Sequence, residues 1–283
     1  MREKFPLVMG IININTNSFY SKSRETDPQL ICSKALTFLG DAASILDLGA
    51  CSTRPGCTPI SCREEMKLLR EPLKALKDTL LKQGYIKSGK APLRNLISID
   101  TFRSEVVEMA YEILGEFTVN DISAGEADPK MLSTVGRLGL PYIAMYNTIS
   151  TELTGTTPEK PVDQKEDITA QTIAFFKKFE KKAQKAGIKE WILDPGFGFG
   201  KTLQQNYILL KNLESLKQFG VPVLVGISRK SMIYKLLEIT PETSLEATTA
   251  LNLYALTKGA DILRVHDVAP AVQCVKMYKM LNK

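Results

Sequence analysis

The chain has very little histidine and no long apolar segment. Its 283 residues include one histidine, His266. No apolar stretch approaches the roughly 20 residues that a membrane-spanning helix needs. The N-terminal run FPLVMGIINI passes into NTNSF without the small-residue cleavage site of a signal peptide. These absences exclude a membrane protein as a class, and we expect a cytoplasmic chain.

Cysteine is present, but without the spacing of a metal site or a disulfide framework. The five cysteines form no C-x-x-C pair, and their odd number argues against a disulfide framework. Cys51, Cys57 and Cys62 cluster, so zinc is an alternative to reduced structural thiols. Their irregular spacing and the lack of a nearby histidine weigh against zinc.

The positive charge has no nucleic-acid motif to accompany it. The formal net charge of +6 comes partly from KKFEKKAQKAGIK, residues 177–189, whose charges alternate with Phe179 and Ala183. This pattern is typical of an amphipathic helix with a solvated basic face. Because no aromatic residues interleave with a basic patch, we expect no nucleic-acid partner.

One pattern recurs along the chain: a short apolar run, a polar or glycine-rich break, and an amphipathic stretch. The eight apolar runs span residues 7–12, 44–48, 96–99, 116–119, 141–145, 191–193, 222–225 and 261–265. Each is short and rich in Ile, Val and Leu, as strands of a buried parallel sheet are. The amphipathic stretches predict helices, for example over 103–114, 168–186 and 245–257. Eightfold alternation predicts an α/β protein with a (β/α)8 barrel in one domain, residues 1–283.

Polar residues follow every predicted strand. They are Asn13, Asp47, Asp100, Asn120 with Asp121, Asn147, Asp194, the SRK segment of 228–230, and Arg264 with His266. Such residues commonly serve as caps or turns. Active sites of barrels, however, gather at the carboxyl ends of the strands. Because every strand has one, the pattern favours a site at that end.

The segment DPGFGFGKT, residues 194–202, is not a nucleotide-binding loop. It has three residues between Gly196 and Gly200 where a P-loop has four, and Lys201 stands where a dinucleotide fingerprint needs its third glycine. A tight turn that presents Asp194 and Phe199 to a flat ligand is one interpretation, and a bare turn is the other.

Cations collect after the last two strands, where barrels often bind phosphate. GISRK, residues 226–230, and RVHD, residues 264–267, supply them, and STRPG, residues 52–56, adds a guanidinium and two hydroxyls. A loop salt bridge explains STRPG almost as well. Beside these cations, Asp100, Asn120 and Asp194 provide acceptors for an amino-substituted heterocycle. The combination predicts a ligand that is part anion and part nitrogen heterocycle.

Eight ordered segments carry a family resemblance. They are VMGIININTNSF, ILDLGACSTRPG, ISIDTFRSEVVEMA, VNDISAG, YIAMYN, ILDPGFGFGKT, VLVGISRKSMI and GADILRVHDV. With them the sequence resembles the dihydropteroate synthases of folate biosynthesis along nearly its whole length. The resemblance implies a barrel transferase, of a family that sulfonamides target, that condenses 6-hydroxymethyl-7,8-dihydropterin pyrophosphate with p-aminobenzoate through a pterin-stabilised carbocation. It also implies release of pyrophosphate to Mg²⁺ and a homodimer, and it leaves open whether a pyrophosphokinase domain is fused to the chain or partners with it.

The resemblance assigns roles residue by residue. The implied pterin-binding residues are Asp100, Asn120, Met145, Asp194, Phe199, Gly226 and Lys230. Those implied for pyrophosphate are Asn13, Thr53, Arg54, Arg264 and His266, with Asn13 acting largely through Mg²⁺. Those implied for p-aminobenzoate are Thr53, Pro55, Phe199, Lys230 and Ser231. The implied catalytic set is Asp100, Asp194, Lys230, Arg264 and His266.

The sequence departs from the family pattern in three places. The loop TNSFYSKS, residues 16–23, lacks both usual carboxylates, and Asn17 can replace a hydrogen bond but not a charge. Ala50 and Cys51 stand where Gly and Glu are common. Only six residues precede the first strand, so we expect either a barrel plugged without the usual hairpin or a piece of a longer fused polypeptide. These departures keep open a pterin-binding paralogue without catalysis, and a pterin-binding methyltransferase with a corrinoid partner is a further alternative.

His266 has two interpretations. It satisfies Asp267 at a strand end, or it binds pyrophosphate beside Arg264. The second follows from spacing, because alternate residues of a strand share a face and Arg264 lies two residues earlier. We expect the pyrophosphate role.

Overall fold

The strands form one parallel sheet that closes on itself. The computed structural model describes residues 6–14, 27–51, 60–86, 93–147 and 167–283. Its strands are β1 (Leu7–Asn13), β2 (Ile45–Gly49), β3 (Ile97–Asp100), β4 (Thr118–Asp121), β5 (Tyr142–Met145), β6 (Trp191–Asp194), β7 (Leu224–Val225) and β8 (Ile262–Val265). They pair in the order β6-β5-β4-β3-β2-β1-β8-β7. A parallel bridge between Leu193 and Val223 joins β6 to β7 and completes the barrel. The predicted (β/α)8 fold is confirmed.

Five strands extend further than their apolar runs predict. β1, β2, β3, β4 and β6 include the residues Asn13, Gly49, Asp100, Asn120, Asp121 and Asp194. Backbone pairing with the neighbouring strand continues there whatever the polarity of the side chain; Asp100, for example, pairs with both Gly49 and Asn120. Several predicted site residues therefore lie within strands, where the sheet fixes their direction.

β7 is shorter than the predicted run 222–225. Pro222 has no N–H to donate to a neighbouring strand, and its carbonyl accepts from the Leu193 N–H at 3.0 Å. Only Leu224 and Val225 pair regularly, with Ile262 and Leu263 of β8. The barrel is thus most weakly paired between β6 and β7.

Helices connect the strands on the outside of the barrel. They are α1 (Pro28–Gly40), α2 (Cys62–Lys82), α3 (Ser104–Leu114), α4 (Met131–Leu138), α5 (Ile168–Lys185), α6 (Leu203–Lys211), α7 (Ser231–Tyr234), α8 (Leu245–Thr257) and α9 (Val268–Leu281). The predicted helices agree within one residue at each end. No helix in the described ranges combines the length and apolar character that a membrane crossing requires.

Reciprocal capping boxes begin two of the described helices. Ser61 and Glu64 form a reciprocal capping box at the start of α2, and Thr202 and Gln205 form another at the start of α6. The Thr202 box fixes the point at which the glycine-rich segment after β6 becomes helix. Capping therefore sets the length of a loop at the carboxyl end of the barrel.

The barrel interior has two layers of opposite chemistry. The lower layer is apolar and consists of Met9, Ile45, Ile143, Ile192, Leu224 and Ile262. Alternate residues of a strand share a face, so the residues two positions further along also point inward, at the carboxyl end. We call these the upper layer: Ile11, Asp47, Met145, Asp194, Gly226 and Arg264, together with Asp100 and Asn120 of β3 and β4.

Candidate active site

A buried charge network crosses the upper layer. The Arg264 guanidinium donates to Asp47 Oδ2 from Nε at 2.7 Å, and its Nη2 lies 2.6 Å from the same oxygen. The same Nη2 lies 2.6 Å from Asp100 Oδ2. The amide Nδ2 of Asn120 lies 3.3 and 3.2 Å from the two oxygens of Asp47. One fully buried carboxylate, Asp47, thus holds a cation from β8 and an amide from β4.

The network places a titratable carboxyl group near neutrality. Burial raises the pKa of Asp100 to about 7; the Arg264 guanidinium opposes this shift and the Asp47 carboxylate adds to it. Burial alone would lower the pKa of Arg264, but Asp47 and Asp100 outweigh it and raise that pKa. Arg264 therefore stays charged, while the charge of Asp100 depends on pH near 7.

A glycine permits this close packing. A Cβ at Gly49 would lie 3.0 Å from Cβ of Asp100, closer than side chains ordinarily approach. Gly49 is the strand neighbour of both Asn13 and Asp100. A larger residue there would push Asp100 away from Arg264.

A second charged cluster joins β6 to the loop after β7. The Lys230 ammonium donates to the Phe197 carbonyl at 2.6 Å and lies 4.6 Å from the centre of the Phe199 ring. Asp194 accepts from the Gly196 N–H at 2.8 Å. Burial raises the pKa of Asp194, against the nearby Lys230 charge, and burial lowers the pKa of Lys230 to about 8, against the Asp194 charge.

Gly226 lies between the two clusters. A Cβ at this position would lie 3.8 Å from Cβ of Arg264 and 3.9 Å from Nζ of Lys230. The predicted residues Gly226, Lys230 and Arg264 are therefore brought together. Two cations thus border the carboxylates of Asp100 and Asp194.

An apolar wall completes this end of the barrel. Phe102, Ile122 and Met145 are buried against one another, and Cys51, Ala127 and Phe199 pack on them. Phe199 thus contacts both the wall and the Lys230 ammonium. The structure brings Met145 and Phe199 together as expected for residues beside a flat ring.

The histidine is bonded to Ser228. Nδ1 of His266 lies 3.1 Å from Oγ of Ser228, and the His266 N–H donates to the same Oγ at 3.2 Å. Asp267 is instead bound by Arg229 through two bonds, at 2.8 and 2.9 Å. The partners identified here are therefore Ser228 for His266 and Arg229 for Asp267, and the choice between the two interpretations of His266 stays a prediction.

Arg229 also corrects our expectation that SRK places two cations at the seventh strand tip. Its Nη1 donates to the carbonyls of Pro241 and Glu242 at 2.7 and 2.6 Å. With a φ of 55°, its backbone is left-handed. This conformation separates the Arg229 side chain from that of Lys230, so Arg229 ties the loop to α9 and Lys230 alone of the pair lies in the cluster.

Two of the other predicted site residues lie at the ends of described elements. Asn13 ends β1 opposite Gly49, and Ser231 begins α7 directly after Lys230. Thr53, Arg54 and Pro55 lie outside the described residues, as do Asn17 and its loop.

Of the three cysteines of the zinc alternative, the structure describes Cys51 and Cys62. Cys57 is outside the described residues. Cys62 donates to Glu105 at 3.3 Å, and burial, with that bond, raises its pKa to about 11. Burial also raises the pKa of Cys51. Because zinc binds thiolates, raised pKa values disfavour the zinc alternative at these two residues.

Sequence reasoning missed two residues of the site. Asp47 was noted only as a polar residue after a strand, although its position two residues beyond Ile45 predicts an inward side chain. Lys201 was set aside with the nucleotide motif. Its ammonium lies within hydrogen-bonding distance of three backbone carbonyls around Asp194. The signal available for Lys201 was its place in the loop after β6, since loops there build barrel sites.

The fold and the clusters together define a (β/α)8 barrel protein with an acidic and amide floor beside two cations. A family model described as pterin binding enzyme matches residues 9–266, and the chain belongs to that family. It is 35% identical over 266 residues to a dihydropteroate synthase of Streptococcus pyogenes, covering 92% of this chain and 90% of that protein.

Solved structures of dihydropteroate synthases are also similar to this chain. A Xanthomonas albilineans dihydropteroate synthase with 4-aminobenzoic acid is similar with a TM-score of 0.83 and 31% identity, over 99% of this chain and 94% of that one. A Clostridium difficile dihydropteroate synthase in the presence of pteroic acid has a TM-score of 0.82 and 33% identity, over 98% and 97%.

Proposed function

We propose that this chain is a dihydropteroate synthase. It condenses 6-hydroxymethyl-7,8-dihydropterin pyrophosphate with p-aminobenzoate, and it forms 7,8-dihydropteroate and pyrophosphate. The observation that carries this proposal is the juxtaposition of Asp100, Asn120 and Asp194 with Lys230 and Arg264 in the upper layer. The similarity to dihydropteroate synthases over nearly the whole chain supports it.

The floor of the site fits a pterin ring. A pterin presents an amino group and ring N–H groups along one edge, and carboxylates accept such hydrogen bonds strongly. Asp194 and Asp100 supply the carboxylates, and Asn120 supplies an amide that can donate and accept. Met145 and Phe199 provide apolar surface for the ring faces.

Opposite charges explain how the site promotes bond cleavage. The bond between the exocyclic methylene carbon and the diphosphate oxygen breaks, and pyrophosphate leaves with the electron pair. Positive charge then spreads over the pterin, near the carboxylates of Asp100 and Asp194, while Arg264 and His266 stabilise the departing anion. Fixed charges placed where charge develops lower the barrier without reorganisation.

The arylamine completes the reaction. Its nitrogen lone pair attacks the methylene carbon, and the nitrogen then loses a proton. Lys230, Phe199 and Ser231 lie at one side of the pterin site, and we assign p-aminobenzoate to them together with Thr53 and Pro55. Sulfonamides, which share the arylamine, should compete for this position.

The residues present fit a magnesium ion that arrives with the diphosphate. No group of three or more His, Cys, Asp or Glu side chains in the described ranges could hold a metal. Mg²⁺ commonly takes one or two protein oxygens and fills its remaining positions with phosphate and water. Asn13 at the end of β1 would supply a protein oxygen, and the ion would neutralise diphosphate charge.

Turnover of the purified chain tests this function. The chain is incubated with the pterin pyrophosphate, p-aminobenzoate and Mg²⁺, and dihydropteroate and pyrophosphate are measured. We expect both products in equal amounts. Tight pterin binding without either product would instead support the paralogue that lacks catalysis, and methyl transfer to a corrinoid protein would support the methyltransferase alternative.

We also infer a homodimer. An exposed apolar surface on α8 and α9 supports it: Tyr254, Met277, Met280 and Leu281 are 39%, 55%, 65% and 74% exposed. Sedimentation of the chain should give twice the monomer mass, and Met280→Glu should shift it toward monomer. A fused or partnering pyrophosphokinase and a cytoplasmic location stay predictions.

A further inference from the structure

A buried lysine connects two loops at the carboxyl end of the barrel. Nζ of Lys201 donates to the carbonyl oxygens of Tyr146, Gly196 and Phe199 at 2.9, 2.8 and 3.3 Å. The same nitrogen lies 4.7 Å from the centre of the Tyr146 ring. Tyr146 follows β5, whereas Gly196 and Phe199 follow β6. An ammonium has three N–H donors, and here each one has a carbonyl partner.

These carbonyls belong to the segment that presents Asp194 and Phe199. Gly196 also donates its N–H to Asp194 at 2.8 Å, so one residue links the lysine to the carboxylate. The Phe197 carbonyl, which lies along the chain between those of Gly196 and Phe199, accepts from Lys230. Lys201 therefore holds the loop from one side while Lys230 contacts it from the other.

The backbones of the two segments that Lys201 joins are tightly packed at Gly196 and Tyr146. Gly196 has a φ of 68°, and a Cβ there would lie 2.1 Å from the Tyr146 carbonyl oxygen. The backbones are therefore in direct contact. Without the Lys201 ammonium, the carbonyl oxygens of Tyr146, Gly196 and Phe199 would each lose a donor, which is unfavourable for buried groups. The Gly196 oxygen would keep the Phe199 N–H at 3.2 Å.

We propose that Lys201 is a positioning residue that fixes the Asp194 carboxylate and the Phe199 ring for the pterin. This inference rests on the proposed function, and it assigns Lys201 no contact with substrate. Its three bonds to backbone define the loop, and the loop in turn defines where the carboxylate and the ring lie.

The charge of Lys201 is part of this role. Burial lowers the pKa of Lys201 to about 7; the Asp194 carboxylate opposes this shift, and the Lys230 ammonium adds to it. Only the protonated form has the three N–H groups that the carbonyls require. Lys201 therefore loses a proton, and with it one of these three donors, as pH rises through about 7, and the Asp194 carboxylate opposes that loss.

The test compares Lys201→Met with a matched control, Lys77→Met. Lys77 also donates to a backbone carbonyl, that of Ile113 at 2.6 Å, but it joins α2 to α3 outside the barrel. Calorimetry measures the affinity for 6-hydroxymethyl-7,8-dihydropterin and, separately, for pyrophosphate with Mg²⁺. For Lys201→Met we expect pterin affinity to fall by about tenfold or more, because a displaced Asp194 carboxylate would lose its charge-assisted hydrogen bond to the pterin. Pyrophosphate affinity should stay within about twofold, and Lys77→Met should change neither.

Three results would overturn the proposal. They are unchanged pterin affinity in a folded Lys201→Met variant, equal losses for both ligands, or the same pterin loss in Lys77→Met. If Lys201→Met does not fold, Lys201→Arg decides. Its planar fork keeps the charge but cannot direct three N–H groups at these carbonyls, so pterin affinity should fall while pyrophosphate affinity holds. Absence of pterin binding by the unmodified chain would instead refute the proposed function.

Discussion

The lower and upper layers of the barrel interior have the same strand geometry and opposite chemistry. Residues such as Ile45, Ile143 and Ile262 pack an apolar core, whereas two positions further along β2 and β8 Asp47 and Arg264 form an ion pair. Burying apolar side chains stabilises a fold. Burying ion pairs often contributes no net stability, because desolvation offsets attraction. The lower layer therefore contributes to stability, and the upper layer is better explained by binding and chemistry.

The largest loss of stability and turnover should come from removing the Asp47 carboxylate at the centre of the buried charge network. Asp47→Asn removes the carboxylate that holds Arg264 and Asn120, and losing one partner of a buried pair costs about 3–5 kcal/mol of unfolding free energy. Chemical denaturation measures this loss, and turnover should fall with it because Arg264 and Asn120 lose their orientation.

Ile143→Val in the lower layer is the matched control. It should cost only about 0.5–1.5 kcal/mol and leave turnover unchanged. The contrast between the layers would be wrong if Asp47→Asn were as stable and active as the unmodified chain, or if Ile143→Val lost turnover comparably.

Asp194→Ala should give the next largest effect, on binding. A hydrogen bond to a charged group contributes about 1.5–3 kcal/mol, so pterin affinity should fall by roughly 10- to 150-fold. The fold should survive, since Asp194 accepts from the neutral Gly196 N–H, whereas Asp47 holds the Arg264 guanidinium. Calorimetry on the folded variant measures this loss. A pterin affinity equal to that of the unmodified chain would show that Asp194 does not bind the pterin.

The pH dependence of Asp100 distinguishes binding from stability in the upper layer. Deprotonation of its carboxyl group should lower the free energy of unfolding and favour pterin binding. Burial raises the pKa of Asp100 to about 7 from 3.8, so between these values the folded chain holds a proton that the unfolded chain has lost. The contribution of Asp100 to stability therefore falls as pH rises from about 4 to about 7.

Deprotonation of Asp100 should instead favour pterin binding as pH passes through 7, because the carboxylate is the better acceptor. Loss of the Lys201 proton over the same range acts in the opposite direction, so the contribution of Asp100 is the difference in pterin affinity between the unmodified chain and Asp100→Asn at each pH. That difference should grow as pH rises, and a difference that does not change with pH would show that Asp100 is not the titrating group.

The smallest effect should come from His266. Ser228 orients its ring through Nδ1, and a single hydrogen bond is worth about 0.5–1.5 kcal/mol. His266→Ala should therefore weaken pyrophosphate binding by roughly two- to tenfold and leave pterin affinity nearly unchanged. Equal losses for both ligands, or none for pyrophosphate, would give His266 a structural role.

The barrel was predictable because apolar runs and helix signals recur eight times. The ends of the strands were less so, since Asp100 and Asp194 continue the backbone ladder although their side chains are polar. Sequence spacing predicted that Arg264 and His266 lie together at the carboxyl end of β8, but it could not show that Asp47 binds Arg264, because the pair is 217 residues apart. It also could not separate Arg229 from Lys230, since one left-handed residue decides which cation turns inward.

The central claim is that the upper layer binds a pterin and its diphosphate at adjacent positions. Calorimetric titration tests it most directly: 6-hydroxymethyl-7,8-dihydropterin is titrated into the chain first, and pyrophosphate with Mg²⁺ second. The account predicts that each ligand binds at one site per chain and that the second binds while the first is present. A folded chain that binds neither ligand, or that releases the pterin when pyrophosphate binds, would contradict it.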